Sequence, residues 1–271
     1  GRWAVGDRVY GFTRFGAYAS HINSPQDFVR PLPAGWTFAE GAAFLVQGLT
    51  AWHGLSHLGA LRRGQTALIQ SAAGGVGLIA LDICEKIGAV PFATVGSPAK
   101  VELLKSRCGL SDTQIIVRNK KTFKEQLELA IEQSGVQQEG FDVVMESLGG
   151  TFFTDSLAMT SRNGRMVTFG SGVYMSTKDG PDWLRIAPKF LFRPKIDPMD
   201  LVQENRSVMG FNLIWLTDKV PELNAELDEL LSLGLRAPFV GNTFKFEDAK
   251  EAIQFFQTGN NQGKIVLILD S

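Results

Sequence analysis

Between Thr66 and Leu269 the apolar positions fall into short unbroken runs, separated by longer stretches in which they recur every three or four residues. That rhythm predicts repeated strand–helix–strand units around a parallel sheet, an α/β fold of the doubly wound Rossmann type. The predicted strands are 66–72, 90–95, 115–117, 141–147 and 165–170, and the predicted helices are Val76–Ile87, Ala99–Cys108, Phe123–Ser134 and Thr154–Met159. Strands that are continuously rich in Val and Ile suit a sheet covered on both faces.

Outside this region the pattern changes. Strand-like pieces in the first forty residues are broken by Gly and Pro, which predicts part of a β-rich lobe. Residues 37–57 read as a helix, with Thr37 as N-cap and Glu40 three places on in capping-box spacing. Near the end, Glu222–Leu233 and Phe246–Gln257 read as amphipathic helices and 264–269 as a closing strand. Residues 183–199 set bulky apolar side chains among Arg185, Lys189, Arg193 and Lys195. That composition suits packing against the rest of the chain or a sister subunit, or peripheral contact with a membrane. Three prolines argue against one continuous helix there.

The strongest local signal is the passage from the strand at 66–72 into Ala73, Gly74, Gly75, Val76 and Gly77 and straight on into a helix. Glycines at such a turn let the backbone approach a pyrophosphate, and the helix start offers unpaired N–H groups and a positive dipole end. Ala72 stands where the G-x-G-x-x-G fingerprint has its first glycine. The end of the next strand decides which dinucleotide is expected. A site for NAD places an acid there to accept from the ribose 2′-hydroxyl, but this chain has Gly96 and Ser97, with Lys100 a turn later. A missing carboxylate and a nearby cation favour a 2′-phosphate, so NADP(H) is expected rather than NAD(H). The alternative is that Ser97 and Lys100 only cap and solvate the following helix.

Composition narrows the classes of function. In 271 residues, 27 Lys and Arg face 28 Asp and Glu, for a net charge of -1, so no electrostatic footprint for nucleic acid exists. No run of 18 apolar residues and no secretion signal occurs, so a cytoplasmic protein is expected, with peripheral membrane contact through 183–199 left open. Cys84 and Cys108 form no CxxC or zinc spacing and are expected to be reduced thiols. His53 and His57 stand four apart, which can bring two imidazoles to one helix face, but the sequence nearby offers no third ligand and no metal is expected.

The segments VGDRVYGF, GAYASH, LPAGWTFAEGAAFLVQGLTAWHGL, SAAGGVGLIAL, TVGSPAK, FDVVMESLGG, NGRMVTFGS, MGFNL and GKIVLIL, which run through most of the chain, resemble the medium-chain dehydrogenase/reductase superfamily. Within it they are most similar to the zinc-free quinone oxidoreductase branch, and to its vesicle amine transport protein-like members. The resemblance implies a GroES-like, β-rich substrate domain in two pieces, 1–45 and 238–271, around a Rossmann domain at 46–237. The family pattern also carries a further stretch before VGDRV, most of the barrel-like catalytic domain, that these residues do not include.

Residue by residue, the resemblance places Thr50 beside the nicotinamide and phosphates and Gln47 near the same opening. It gives Gly74, Gly75, Val76 and Gly77 to the pyrophosphate. Ser147, Leu148, Gly149, Phe169, Gly170 and Ser171 lie at strand ends bordering the cofactor, Phe211 and Asn212 near the nicotinamide, and Lys264 in the terminal Gly-Lys element. Arg118 is a candidate for the adenosine phosphate.

The activity implied is hydride transfer from NADPH to a quinone or an α,β-unsaturated carbonyl, with Thr50 or Gln47 as candidate catalytic donors to the developing enolate. Tyr18 and Tyr174 are candidate proton donors by residue type alone. Two other readings stand beside it: an enoyl reductase domain of a fatty-acid or polyketide synthase, and a catalytically silent, membrane-associated subunit that keeps the dinucleotide fold. A homodimer is the expected assembly.

Overall fold

A computed structural model of the chain describes residues 2–170 and 183–269. Two short strands, β1 (Val9–Gly11) and β2 (Val29–Pro31), pair antiparallel near the start. They lead into α1 (Phe38–Trp52), which opens with the expected capping box: Thr37 accepts from the Glu40 N–H, and the Glu40 carboxylate accepts from the Thr37 N–H. The chain then passes through one π-helical turn, His53–Leu58, rather than ending the helix.

The Rossmann unit follows: β3 (Thr66–Ile69), α2 (Gly75–Ile87), β4 (Val90–Val95), α3 (Val101–Cys108), β5 (Ile115–Val117), α4 (Phe123–Ser134), β6 (Phe141–Glu146), α5 (Gly150–Ala158) and β7 (Thr160–Phe169). Beyond it lie α6 (Trp183–Leu191), α7 (Pro198–Glu204), β8 (Ser207–Phe211) and α8 (Val220–Ser232), then β9 (Val240–Lys245), α9 (Ala249–Thr258) and β10 (Lys264–Ile268). The strands order as β5-β4-β3-β6-β7-β8, all parallel, so the sheet is doubly wound, and β9 and β10 pair separately, also in parallel.

All four residues of β3 are buried. Ala67 and Ile69 face a cluster built with Leu49, Leu78 and Leu227, while Leu68 faces Phe92, Phe123, Leu127 and Phe141 on the other side. Two-sided burial is why this strand carries no polar alternation.

Several boundaries differ from the sequence reading. β3 stops at Ile69 rather than at 72, because Ser71 takes a φ of 52° that breaks the extended chain. α5 begins at Gly150, four residues before the expected start, because Gly149 and Gly150 hold positive φ values of 67° and 58° that turn the chain into it. β8 is absent from the predicted strands, since SVMGF is short and contains a glycine. The proline-rich stretch is broken into α6, with Pro188 inside it, and α7.

Candidate functional site

The glycine turn lies between the carboxyl end of β3 and the start of α2. A Cβ at Gly77 would stand 2.5 Å from the Ala72 Cα and 2.6 Å from its carbonyl oxygen, so glycine here is what lets α2 pack onto its own strand. At Gly75 a Cβ would be 3.2 Å from the Gln47 side chain and 3.6 Å from that of Lys264, which places both residues at the turn. The C-terminal segment closes over the loop: the Gly263 N–H donates to the Ala73 carbonyl at 2.7 Å, and Gly263 bridges to Gly74. With the Gln47 amide assigned, from its neighbours, the orientation that satisfies both of its ends, the Lys264 ammonium donates to the Gln47 side-chain oxygen at 2.6 Å and the Gln47 amide nitrogen donates to the Ala43 carbonyl at 3.0 Å. Burial lowers the Lys264 pKa, and among the described residues no carboxylate pairs with this cation. Val76 packs its side chain against the core, so it contributes backbone rather than side chain to the turn.

A second cluster forms at the end of β4. Gly96 is exposed, and a Cβ on it would stand 3.0 Å from an Arg118 guanidinium nitrogen, so the residue that replaces the usual acid also makes room for a cation. Arg118 donates to the Thr94 hydroxyl at 2.9 Å and lies 5.8 Å from the Phe152 ring centroid. Burial pulls its pKa down to about 10. Lys100 donates to the Gly259 carbonyl at 2.6 Å, and its pKa is lowered by burial and then by the neighbouring Arg118 charge. Ser97 accepts from the Ala99 N–H at 3.3 Å, which leaves its hydroxyl proton free to donate. Two cations that disfavour one another, beside a glycine where an acid would stand, form a site suited to a phosphate.

The sequence reading missed the layer beneath. Thr94 donates to the Gln70 side-chain oxygen, and the Gln70 amide donates to the Ser156 hydroxyl at 2.9 Å, a buried chain that carries the position of Arg118 across three strands to α5. Glu146, buried at the end of β6, accepts from the Leu148 and Gly149 N–H groups, both at 2.7 Å. Burial raises its pKa and those two bonds oppose the rise. A Glu closing a strand of apolar residues was the available signal.

Ser147, Leu148, Gly149, Phe169 and Gly170 come together in a cleft of about 660 Å³ bordered on its far side by Phe192 and Arg193. Phe211 stacks on Phe169 at 6.0 Å between centroids and lies 4.8 Å from His53. Asn212 is exposed and accepts from the Ile214 N–H at 3.4 Å, capping the short 3-10 turn after β8. The Thr50 hydroxyl donates to the Val46 carbonyl at 2.7 Å and therefore presents lone pairs in this rotamer. Ser171 and Tyr174 lie outside the described residues. Tyr18 is exposed in the N-terminal segment.

One further group forms around the π-helical turn. His53 Nδ1 lies 3.0 Å from both carboxylate oxygens of Glu226, and His57 Nδ1 lies 3.6 Å from one of them. The third partner that the sequence did not offer nearby thus comes from α8, 173 residues away. Cys84 and Cys108 do not join it; burial pushes their thiols up to about 12 and about 11.

Comparison with known proteins gives these arrangements a context. A sequence model described as zinc-binding dehydrogenase matches residues 112–267. The mouse synaptic vesicle membrane protein VAT-1 homolog is 29% identical over 97% of this chain, which spans 63% of that protein's length. Among solved structures, CurK enoyl reductase is similar with a TM-score of 0.75 and 27% identity, covering 100% of this chain and 74% of that one. The quinone oxidoreductase of Thermus thermophilus, solved also in complex with NADPH, gives 0.75 and 26%, covering 98% of this chain and 78% of that one.

Proposed function

The chain belongs to the zinc-binding dehydrogenase family, as a quinone oxidoreductase-like member of the medium-chain dehydrogenase/reductase superfamily, and from that premise we propose that it is an NADPH-dependent reductase of quinones or α,β-unsaturated carbonyls. The observation that carries the proposal is the pair of cation-lined niches along the ends of β3 and β4, one at Gly74–Gly77 with Lys264 and one at Gly96 with Arg118 and Lys100. Their charges have no carboxylate partner among the described residues, and each is held where burial penalises it. A bound dianion and pyrophosphate would relieve that penalty.

NADPH, when bound, would supply the hydride. The chain's own residues do the rest under this reading. The N–H groups at the start of α2 and the Lys264 ammonium hold the pyrophosphate, and Arg118, Lys100 and Ser97 hold the 2′-phosphate. Phe211, Phe169 and the β6 and β7 ends wall the cofactor from water, which strengthens every charge interaction inside. Thr50 has already given its proton to the Val46 carbonyl, so of the two candidate donors to an oxyanion developing on a conjugated acceptor it is Gln47 that keeps an N–H to give.

The test is titration of the chain with NADPH and NADH by tryptophan fluorescence, then addition of 1,2-naphthoquinone and a short enone while nicotinamide absorbance is followed. Tight NADPH binding with turnover is expected. Binding without turnover would favour the silent-subunit reading, for which the exposed side chains of Leu191 and Phe192 at the end of α6 are the specific observation. Liposome flotation distinguishes it. Failure to bind either dinucleotide would refute the cofactor assignment.

A further inference from the structure

We infer that His53, His57 and Glu226 form a binding site for one divalent transition-metal ion of the zinc class, a clamp between α8 and the π-helical turn that ends α1. The inference holds whether or not the chain reduces quinones, because none of the three residues belongs to the glycine turn or to the cation cluster at Gly96.

The donor set is two imidazoles and one carboxylate, which is the chemistry zinc takes. Its spacing is close to what an ion needs. With bonds of about 2.0–2.1 Å, neighbouring donors in a tetrahedron stand about 3.3 Å apart. Here His53 and Glu226 are separated by 3.0 Å and His57 and Glu226 by 3.6 Å, and all the donor atoms lie within 4.8 Å of one another. An ion between His53 Nδ1 and the carboxylate would take the place of the proton they share, and that proton would leave to solvent.

The local fold explains why the three meet. In a π-helical turn residues four apart stay on one face, and the His53 and His57 rings are stacked, 4.8 Å between centroids and 16° from parallel. His53 and Glu226 are anchored, with side chains only 10% exposed, whereas the His57 side chain is 60% exposed. His57 is therefore free to turn its ring edge toward the ion, and the same open side leaves a fourth position for water. His53 is held from behind by the Phe211 ring at 4.8 Å, and α8 is held against α1 by Trp52, whose indole N–H donates to Glu229 at 3.2 Å. Two of three donors are thus preorganised, which is what lets one buried and one exposed imidazole act as a single site.

Among the described residues this is the group of His, Cys, Asp and Glu whose donor atoms stand close enough together for such an ion. Its donors do not line the cleft at the ends of β6 and β7, although His53 touches the Phe211 ring behind that wall, so its role would be to fasten α8 and not to polarise substrate.

The experiment is titration of the chelator-treated full chain with Co²⁺, followed by visible absorption, with Zn²⁺ displacing it and calorimetry giving the stoichiometry. One ion per chain, four-coordinate absorption and a thermal midpoint raised by Zn²⁺ are expected. The His57→Ala variant, changed at an exposed side chain, should keep its fold and its NADPH affinity while losing at least about tenfold in metal affinity. His57→Cys, which restores a donor, should recover binding with a charge-transfer band to Co²⁺. Absence of binding at sub-millimolar metal, or equal affinity in H57A, would overturn the inference.

Discussion

Replacing Arg118 by Gln isolates the 2′-phosphate reading from every other feature of the cleft. Burial holds the Arg118 pKa at about 10 against an ordinary 12.5. That difference corresponds to roughly 3 kcal/mol of cost on the charged guanidinium, which an adjacent phosphate can offset. A charge-assisted hydrogen bond contributes about 1.5–3 kcal/mol, so two routes to the magnitude agree. Arg118→Gln should therefore weaken NADPH binding by roughly 10- to 150-fold. NADH lacks the phosphate and should bind as it does to the parent chain. The assay is paired fluorescence titration of both dinucleotides, with a urea melt to show that the variant is folded. An equal fall for both would mean that Arg118 acts through Thr94 and the buried Gln70–Ser156 chain rather than on a phosphate. No fall for either would remove the NADPH assignment altogether.

Three further outcomes follow from the same geometry. Gly77→Ala places a Cβ against Ala72 backbone atoms, which cannot swing aside, and should cost about 3 kcal/mol or more in urea unfolding; an unchanged midpoint would show that α2 can slide. Because burial raises the Glu146 pKa above its unfolded value of 4.5, this group's contribution to stability is present below that value and is lost as pH rises past it. Glu146→Gln keeps an acceptor for Leu148 and Gly149, so its stability relative to the parent should grow from pH 4.5 to 7, as read by denaturant melts at each pH. Cys84 and Cys108, with thiols pushed up to about 12 and about 11, should resist iodoacetamide at pH 8 in the folded chain and react once it is unfolded, as mass spectrometry would show.

The parts of the fold that the sequence made legible are those in which local pattern and tertiary environment coincide. β4, β5 and α4 occupy the predicted residues, and the Thr37–Glu40 capping box forms as written, because each depends on neighbours a few positions away. The glycine turn was legible for the same reason. What stayed hidden depends on distance along the chain. Nothing in His53 or His57 announces Glu226, and nothing in Gln47 announces its bond to Lys264, since both pairs are created by how α8 and β10 return to α1. Gln70 and Thr94 read as ordinary strand-end residues until the sheet brings them together. β8 is set by its pairing with β7, Arg165 to Ser207 through Phe169 to Phe211, rather than by any strength of its own pattern.

The bond from Gly263 to Ala73 also bears on the order in which this protein assembles. The sheet, α2 and the glycine turn can form from residues that emerge early in synthesis. The turn nevertheless acquires its ammonium only when a segment almost 190 positions later docks beside it and completes the bridge to Gly74. Contacts of such long separation are slow to form. A nascent or partly unfolded chain would then possess a complete sheet and an unfinished cofactor pocket, and acquisition of dinucleotide affinity would report the last step of folding rather than the first.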